Sequence, residues 1–226
     1  MISIITPTTG EPSLIKLMES INAQNVDFEH ILLWDDRFWG EDNGWQDAVM
    51  PLDVRDDCRW EENRYNIEIP GNMVQGVAAG SALRSIGLMA ARGEYVTFAD
   101  SDVWWDKNHL ENMLELIQDK NWGYCRRNVY NSKGDLLGKD EFESVGASSD
   151  RKVSYEMVDN NCMMFKRRFG TSGAVLYRET TEYNDDRLMY QFLKKHAGEP
   201  AITKDATVNQ VCPQKLEKMF GEYCTK

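Results

Sequence analysis

Short apolar runs and helix-spaced apolar positions alternate along the first half of the chain. The runs at residues 2–5, 30–34, 65–69 and 94–99 are typical of buried strands in a parallel sheet. Between the first two runs, Leu14, Leu17, Met18 and Ile21 recur at the spacing of one helix face. Similar spacing predicts helices over about 81–90 and 110–117. The strand–helix–strand order predicts right-handed parallel crossovers and an α/β fold.

The second half follows a different pattern. Short strand-like segments at 122–130, 152–155, 162–166 and 173–177 precede a predicted helix over about 186–196. Residues 37–66 have weak periodicity and are interpreted as an irregular insertion. Because no repeat and no Pro-, Gly- or Ser-rich linker divides the chain, we predict a single domain over residues 1–226 with halves 1–120 and 121–226.

The net charge, the apolar runs and the cysteines of the chain indicate which binding partners and which cellular compartment to expect. The chain has 26 Lys and Arg against 37 Asp and Glu, a net charge of −11, so a nucleic-acid partner is not expected. It has no run of about 18 apolar residues that could span a bilayer. Its N-terminus is interpreted as a first strand and not as a signal peptide. The five cysteines form no C-x-x-C pair, so reduced thiols and a cytoplasmic location are predicted.

Two acids follow the predicted fourth strand, in the order Asp100, Ser101, Asp102. Ligands bind at the carboxyl ends of strands in open α/β sheets, so both carboxylates could converge there on one ion. Carboxylate oxygens suit Mg²⁺ or Mn²⁺, and such an ion also holds a diphosphate. The alternative is that Asp100 caps a turn and Asp102 is solvated.

Residues 80–102 read G-S-A-L-R-S-I-G-L-M-A-A-R-G-E-Y-V-T-F-A-D-S-D and resemble the central signature of family 2 glycosyltransferases. Residues 2–8 resemble the opening strand and nucleotide-contacting loop of that family, and residues 33–36 resemble its second strand, which ends in two acids. The likeness covers residues 1–110 well. Ser85, Ala99 and Val103 depart from the usual Asn, large aliphatic residue and third Asp.

The resemblance implies a GT-A fold, with a Rossmann-like, mostly parallel central sheet flanked by helices and a smaller mixed C-terminal region. Residues 1–120 would bind the nucleotide and residues 121–226 the acceptor. The implied reaction is inverting transfer of a sugar from a nucleoside-diphosphate sugar, most commonly UDP-linked, to a hydroxyl of a glycan or glycoconjugate. Peripheral membrane contact and a homodimer are compatible with this function.

The resemblance also implies roles for individual residues. Thr6, Pro7 and Thr8 would shape the rim around the base, and Asp36 would accept a hydrogen bond from the base or sugar of the nucleotide. Arg84 would pair with the nucleotide or its phosphates. Asp100 and Ser101 would contact the nucleotide sugar, and Asp102, with Asp100, would bind Mn²⁺ or Mg²⁺.

A general base is the remaining requirement, because a hydroxyl is a poor nucleophile at neutral pH. In the resembling family an acidic pair at the start of a later helix supplies it. Asp186 is the predicted base here, with Asp185 as its rival by one register. The alternative is that both acids only stabilise the helix N-terminus through its dipole.

Two other functions are compatible with these motifs. A nucleotidyltransferase shares the topology and the acidic site, but its phosphate loop is normally glycine-rich and basic. The loop over residues 6–11 has one glycine and no Lys or Arg. A catalytically inactive nucleotide- or carbohydrate-binding module of the same fold is the second alternative.

Overall fold

A computed structural model describes residues 1–35, 63–69, 79–141, 146, 157–179 and 185–225. The strands are β1 (Ile2–Thr8), β2 (Phe28–Asp35), β3 (Arg64–Ile69), β4 (Tyr95–Phe98), β5 (Val103–Trp105), β6 (Trp122–Tyr130), β7 (Leu136–Lys139), β8 (Met163–Lys166) and β9 (Ala201–Val211). The helices are α1 (Ser13–Asn22), α2 (Ala79–Ala90), α3 (His109–Leu116), α4 (Arg167–Glu179), α5 (Asp185–His196) and α6 (Glu217–Tyr223). None of the helices in these ranges is long and apolar enough to cross a lipid bilayer.

Within these ranges the strands form one sheet in the order β3-β2-β1-β4-β8-β6-β9-β5, and β7 pairs with β6. Strands β3, β2, β1 and β4 are mutually parallel. Strand β8 runs antiparallel to both of its neighbours, β4 and β6, and β5 runs antiparallel to β9. The predicted α/β class, with a parallel sheet and a mixed C-terminal region, is confirmed.

The N-terminal strands are apolar because both faces of the sheet are covered. Ile4, Ile5 and Leu32 are fully buried, and the Leu14 face of α1 packs into the same core. Continuous apolar runs are what a doubly covered parallel sheet requires. The side chains that could bind a ligand therefore lie at the polar ends of these strands.

Two glycines bring α2 and the following turn close to β1. A Cβ at Gly87 would lie 2.4 Å from Ile5 Cγ2, and a Cβ at Gly93 would lie 2.6 Å from the Ser3 backbone nitrogen. The Gly93 N–H also donates to Ser3 Oγ at 2.8 Å. This close approach holds α2, and with it Arg84, over the carboxyl end of the sheet.

The four strands predicted in the second half, and the insertion predicted in the first half, have different outcomes. The strands predicted near 122–130 and 162–166 are confirmed as β6 and β8. The strand predicted at 173–177 is wrong, because those residues belong to α4. Gly170 and Gly173 let α4 pack closely against its neighbours, since a Cβ there would meet Phe165 and Met189. The predictions for 152–155 and nearly all of 37–66 lie outside the described residues.

Candidate active site

A cavity of about 370 Å³ opens at the carboxyl ends of β1, β2 and β4. The loop after β1, the end of β2, the start of α2 and the loop after β4 form its walls. Within the described ranges, six of the predicted site residues line it, namely Pro7, Thr8, Arg84, Asp100, Ser101 and Asp102. The structure therefore brings the first-strand loop, the helix arginine and the acidic motif to one place.

Two other predicted nucleotide contacts have different outcomes. Thr6 is fully buried, and its Oγ1 lies 2.9 Å from His30 Nε2, so it supports the strand beneath the cavity and does not form its rim. Asp36 lies outside the described residues. Its neighbour Asp35, the last residue of β2, lines the cavity.

The loop after β1 is held by Glu11, a residue with no role in the sequence-based predictions. Thr9 Oγ1 donates to Glu11 Oε1 at 2.6 Å, and Thr8 Oγ1 donates to Oε2 at 3.0 Å. Ser101 Oγ donates to the same Oε2 at 2.8 Å. Glu11 thus joins the loop after β1 to the acidic loop after β4 and adds a carboxylate to the cavity wall.

Arg84 occupies the centre of the site and pairs with two carboxylates. Its Nη2 lies 2.5 Å from Asp100 Oδ1, and its Nη1 lies 2.9 Å from Asp185 Oδ2. Arg84 and Asp185 are nearly buried in these pairs, which strengthens charge-assisted hydrogen bonds. The guanidinium therefore links the acidic motif to the first residue of α5, 101 positions away.

The predicted acid pair begins α5 and contacts a short 3₁₀ turn at Asn160–Cys162. The Asn160 backbone N–H donates to Asp186 Oδ1 at 3.1 Å, and Asn160 Nδ2 donates to Asp185 Oδ2 at 3.4 Å. The pKa of Asp186 is raised well above its usual range, first by burial and then by the negative charges of Asp159 and Asp185. A carboxylate with a raised pKa is a stronger proton acceptor.

Asp100 is held from its other side by Asn161, in the same turn. Asn161 Nδ2 donates to Asp100 Oδ2 at 3.1 Å, and the Asp100 backbone N–H donates to Asn161 Oδ1 at 2.6 Å. With Arg84 on Oδ1, both carboxylate oxygens of Asp100 accept hydrogen bonds from protein groups. Of the two predicted metal ligands, Asp100 is therefore the one whose carboxylate is fixed by hydrogen bonds from Arg84 and Asn161.

Asp102 has a different environment. It is exposed at the cavity mouth, and Gln210 Nε2 donates to its Oδ2 at 2.9 Å. Desolvation by the surrounding protein atoms, followed by the charge of Asp100, raises the pKa of Asp102 to about 6. A cation at this carboxylate would relieve both effects.

The charge of the cavity wall bears on whether a divalent cation fits. Among the described residues, the wall carries one guanidinium, Arg84, which two carboxylates already neutralise, together with Glu11, Asp35, Asp100 and Asp102. In the same part of the chain, no group of three or more His, Cys, Asp or Glu side chains could hold a metal by itself. Mg²⁺ is commonly bound by one or two carboxylates together with substrate phosphates, and Asp102 fits that arrangement.

Besides Asp35, four polar residues of the site were not predicted from the sequence, namely Glu11, Asn160, Asn161 and Gln210. Glu11 follows Gly10 at the end of the loop after β1, where a lone acid gives only a weak signal. Asn160 and Asn161 form a polar pair directly before the apolar β8 run, a pattern that could have marked a strand-end turn facing the site. Gln210 lies in a strand with no clear alternation, so nothing in the sequence pointed to it.

Parts of the chain match a family model and known proteins. The sequence model described as "Glycosyl transferase family 2" matches residues 75–180, which include Arg84, Asp100 and Asp102. The chain is 29% identical over 133 residues to the glycosyltransferase GlyG of Streptococcus pneumoniae serotype 4, covering 58% of this chain and 40% of GlyG. It is 24% identical over 144 residues to the amylovoran biosynthesis glycosyltransferase AmsB of Erwinia amylovora, covering 63% of this chain and 44% of AmsB.

The fold is also similar to solved structures. The structure of TarS 1–349 from S. aureus in complex with UDP-GlcNAc matches 94% of this chain with a TM-score of 0.66 and 17% sequence identity. The matched part is 58% of that TarS chain. This chain therefore spans roughly half the length of the proteins it resembles.

Proposed function

We propose that this chain, whose residues 75–180 match the sequence model of family 2 glycosyltransferases, transfers a sugar from a nucleoside-diphosphate sugar to an acceptor hydroxyl, with inversion at the anomeric carbon. The donor is UDP-linked, and the acceptor is a glycan or glycoconjugate. The UDP-GlcNAc complex of the similarly folded TarS supports the donor, and the biosynthetic role in the name of AmsB supports the acceptor class.

The observation that carries the proposal is the double ion pair of Arg84. Asp100, on the wall of the proposed donor cavity, and Asp185, at the start of α5, are both paired with the guanidinium of Arg84. A displacement reaction needs the donor and the base that activates the acceptor to be adjacent. Arg84 serves this geometry by fixing the two carboxylates relative to each other.

Asp186 acts as the general base. In an in-line displacement, Asp186 takes the proton of the acceptor hydroxyl while the acceptor oxygen bonds to the anomeric carbon and the bond to the diphosphate oxygen breaks. Its raised pKa suits this role. Asp185 is committed to the ion pair with Arg84, which makes it the weaker candidate of the two.

Asp102 would hold a Mn²⁺ or Mg²⁺ ion, whose contribution when bound is to neutralise charge on the diphosphate leaving group. The carboxylate is accessible at the cavity mouth and is oriented by Gln210. Asp100 supports this position through its own hydrogen bonds. The residues around the cavity thus orient the donor, and the acid pair of α5 handles the proton.

The test of the base is the Asp186→Asn variant. We expect transfer to fall by about 10²- to 10⁴-fold, the usual contribution of a general base, while Mn²⁺-dependent UDP binding persists. The measurements are product formation by mass spectrometry and UDP affinity by calorimetry. Asp119→Asn, at an exposed acid, is the matched control and should keep full activity.

The Asp185→Asn variant tests whether Asp185 and not Asp186 is the general base. It should perturb Arg84 and so affect donor binding as well as turnover. A selective loss of turnover in Asp185→Asn, with Asp186→Asn still active, would move the base to Asp185. A wild-type protein that binds UDP-sugars but neither hydrolyses nor transfers them would instead favour the inactive binding module.

The acidic cavity argues against the nucleotidyltransferase alternative. Glu11 lies in the loop after β1, and Thr8 and Thr9 donate to it. A phosphate loop would present basic side chains and free backbone N–H groups at this position. Production of a nucleoside-diphosphate sugar from a nucleoside triphosphate and a sugar phosphate would refute this argument.

A further inference from the structure

The turn before β8 presents two consecutive buried amides to opposite halves of the site. We propose that Asn160 and Asn161 are positioning residues: Asn161 sets the donor-side carboxylate Asp100, and Asn160 sets the acid pair at the start of α5. This inference rests on the proposed function. Neither residue touches the reacting atoms in this assignment, so each acts through the carboxylate that it holds.

Asn161 is bound so that its amide has one permitted orientation. Its Nδ2 faces Asp100 Oδ2 at 3.1 Å and Asp159 Oδ1 at 2.8 Å, both of which accept hydrogen bonds. Its Oδ1 faces the Asp100 backbone N–H at 2.6 Å, which donates. With the residue 2% exposed, these contacts fix both the backbone and the carboxylate of Asp100.

Asn160 performs the equivalent task on the other side. It is fully buried, its backbone N–H donates to Asp186 Oδ1 at 3.1 Å, and its Nδ2 donates to Asp185 Oδ2 at 3.4 Å. The two adjacent carboxylates repel each other, and amide donors reduce that repulsion. Asn160 therefore holds both acids in place, with Arg84 contributing the second contact to Asp185.

The turn is anchored beneath the site by a buried ion pair. Asp159 caps the turn by accepting the Asn161 backbone N–H at 2.8 Å, and it is paired with Arg127 of β6. Arg127 Nε also donates to the fully buried Asp140 at 2.9 Å. Because the anchor lies in the sheet, the positions of both amides are fixed before any ligand arrives.

Substitution of the two amides should give different kinetic signatures. Asn161→Ala should raise the Kd for UDP with Mn²⁺ about tenfold, the value of a hydrogen bond to a charged group, with a smaller change in kcat at saturating donor. Asn160→Ala should lower kcat about tenfold with UDP affinity unchanged. Its effect should be smaller than that of Asp186→Asn, because the backbone N–H to Asp186 is retained.

Asn161→Asp separates a hydrogen-bonding role from a packing role. It keeps the shape of Asn161 but places a third carboxylate beside Asp100 and Asp159, so it should bind UDP more weakly than Asn161→Ala. If Asn161 only filled space, the isosteric Asp would be the milder change. Asn160→Ser and Asn161→Ser keep a hydroxyl group that can donate a hydrogen bond, so each should retain more function than the corresponding Ala variant. If the Ala variants fail to fold, the Ser variants replace them in the experiment.

The experiment measures thermal unfolding, UDP affinity by calorimetry, and KM and kcat for transfer, for each variant and the wild type. Separation into a donor-binding defect for Asn161 and a turnover defect for Asn160 supports the inference. Equal loss of both parameters in the two variants, or an Asn161→Asp milder than Asn161→Ala, overturns it while the proposed function stands. A wild type that binds no nucleotide sugar overturns the proposed function and this inference together.

Discussion

At the scale of single residues, the site concentrates negative charge at a cost to the folded state. The pKa of Asp102 is raised to about 6 and that of Asp186 is raised well above its usual range, in both cases mainly by desolvation and then by neighbouring carboxylates. Groups perturbed in this way, at the edge of a cleft, are characteristic of functional sites. The amides of Asn160 and Asn161 and the guanidinium of Arg84 partly offset the cost.

A histidine beneath the site should give the protein a measurable dependence of stability on pH. His30 is fully buried, and burial, followed by the charge of Arg64, lowers the pKa of its ring well below 6.5. The unfolded chain takes up a proton near pH 6.5 and the folded chain does not. Stability is therefore complete above about pH 6.5 and is lost as the pH falls, by up to about 1.4 kcal/mol per pH unit.

The His30→Gln variant tests this prediction. Gln keeps hydrogen-bonding capacity toward Thr6 but does not titrate, so the variant should lose less stability than the wild type between about pH 7 and pH 5. Denaturant unfolding at both pH values measures the difference. His196→Gln, at an exposed histidine, is the control. Parallel pH profiles for wild type and His30→Gln would contradict the assignment.

At the scale of helices and strands, local patterns were sufficient for one half of the site. The apolar runs of β1, β2 and β4 and the helix spacing of α1 determine the parallel sheet, and Asp100 and Asp102 follow from the end of β4. The contacts of Asn160 with the acid pair of α5 and of Gln210 with Asp102 were not predictable. These contacts join segments 25 to 108 residues apart and leave no periodic signal.

Two glycine substitutions should change stability in opposite directions, because one glycine is packed and the other is not. Gly93→Ala would place a Cβ 2.6 Å from the Ser3 backbone nitrogen, so β1 or the turn must shift. We expect a loss of about 1–3 kcal/mol. A Cβ at Gly221, within α6, would meet no other group of the described chain within 4 Å, so Gly221→Ala should gain about 0.5–1 kcal/mol from helix propensity.

Denaturant unfolding of both variants checks this pair. Both variants add one methyl group. A loss of stability in one and a gain in the other would therefore separate the effect of packing against β1 from the effect of backbone entropy. A Gly93→Ala variant as stable as the wild type would show that the contact between the turn and β1 relaxes at no cost. It would also mean that this contact does not position Arg84.

At the scale of the whole molecule, the charge balance conflicts with the proposed ligand unless a cation is present. The chain carries a net charge of −11, and within the described residues the cavity wall holds four carboxylates with one neutralised guanidinium. A nucleoside diphosphate adds further negative charge. Contacts between unlike charges must outweigh this repulsion, and the exposed carboxylate of Asp102 is where we propose that a cation binds and supplies them.

The salt dependence of UDP binding should therefore reverse with the metal. In EDTA, UDP should bind weakly, and raising NaCl from about 50 to about 500 mM should strengthen binding because screening reduces repulsion. With Mn²⁺, UDP binding should be much tighter, and the same salt increase should weaken it because screening now reduces attraction.

Asp102→Ala should remove the gain in UDP affinity from Mn²⁺ and bind UDP as the wild type does in EDTA, whereas Asp119→Ala, at an exposed acid, should behave as the wild type. Calorimetric titrations across this range measure the effect. Equally tight binding in EDTA and in Mn²⁺, weakened by salt in both, would mean that basic groups and not a cation at Asp102 hold the diphosphate.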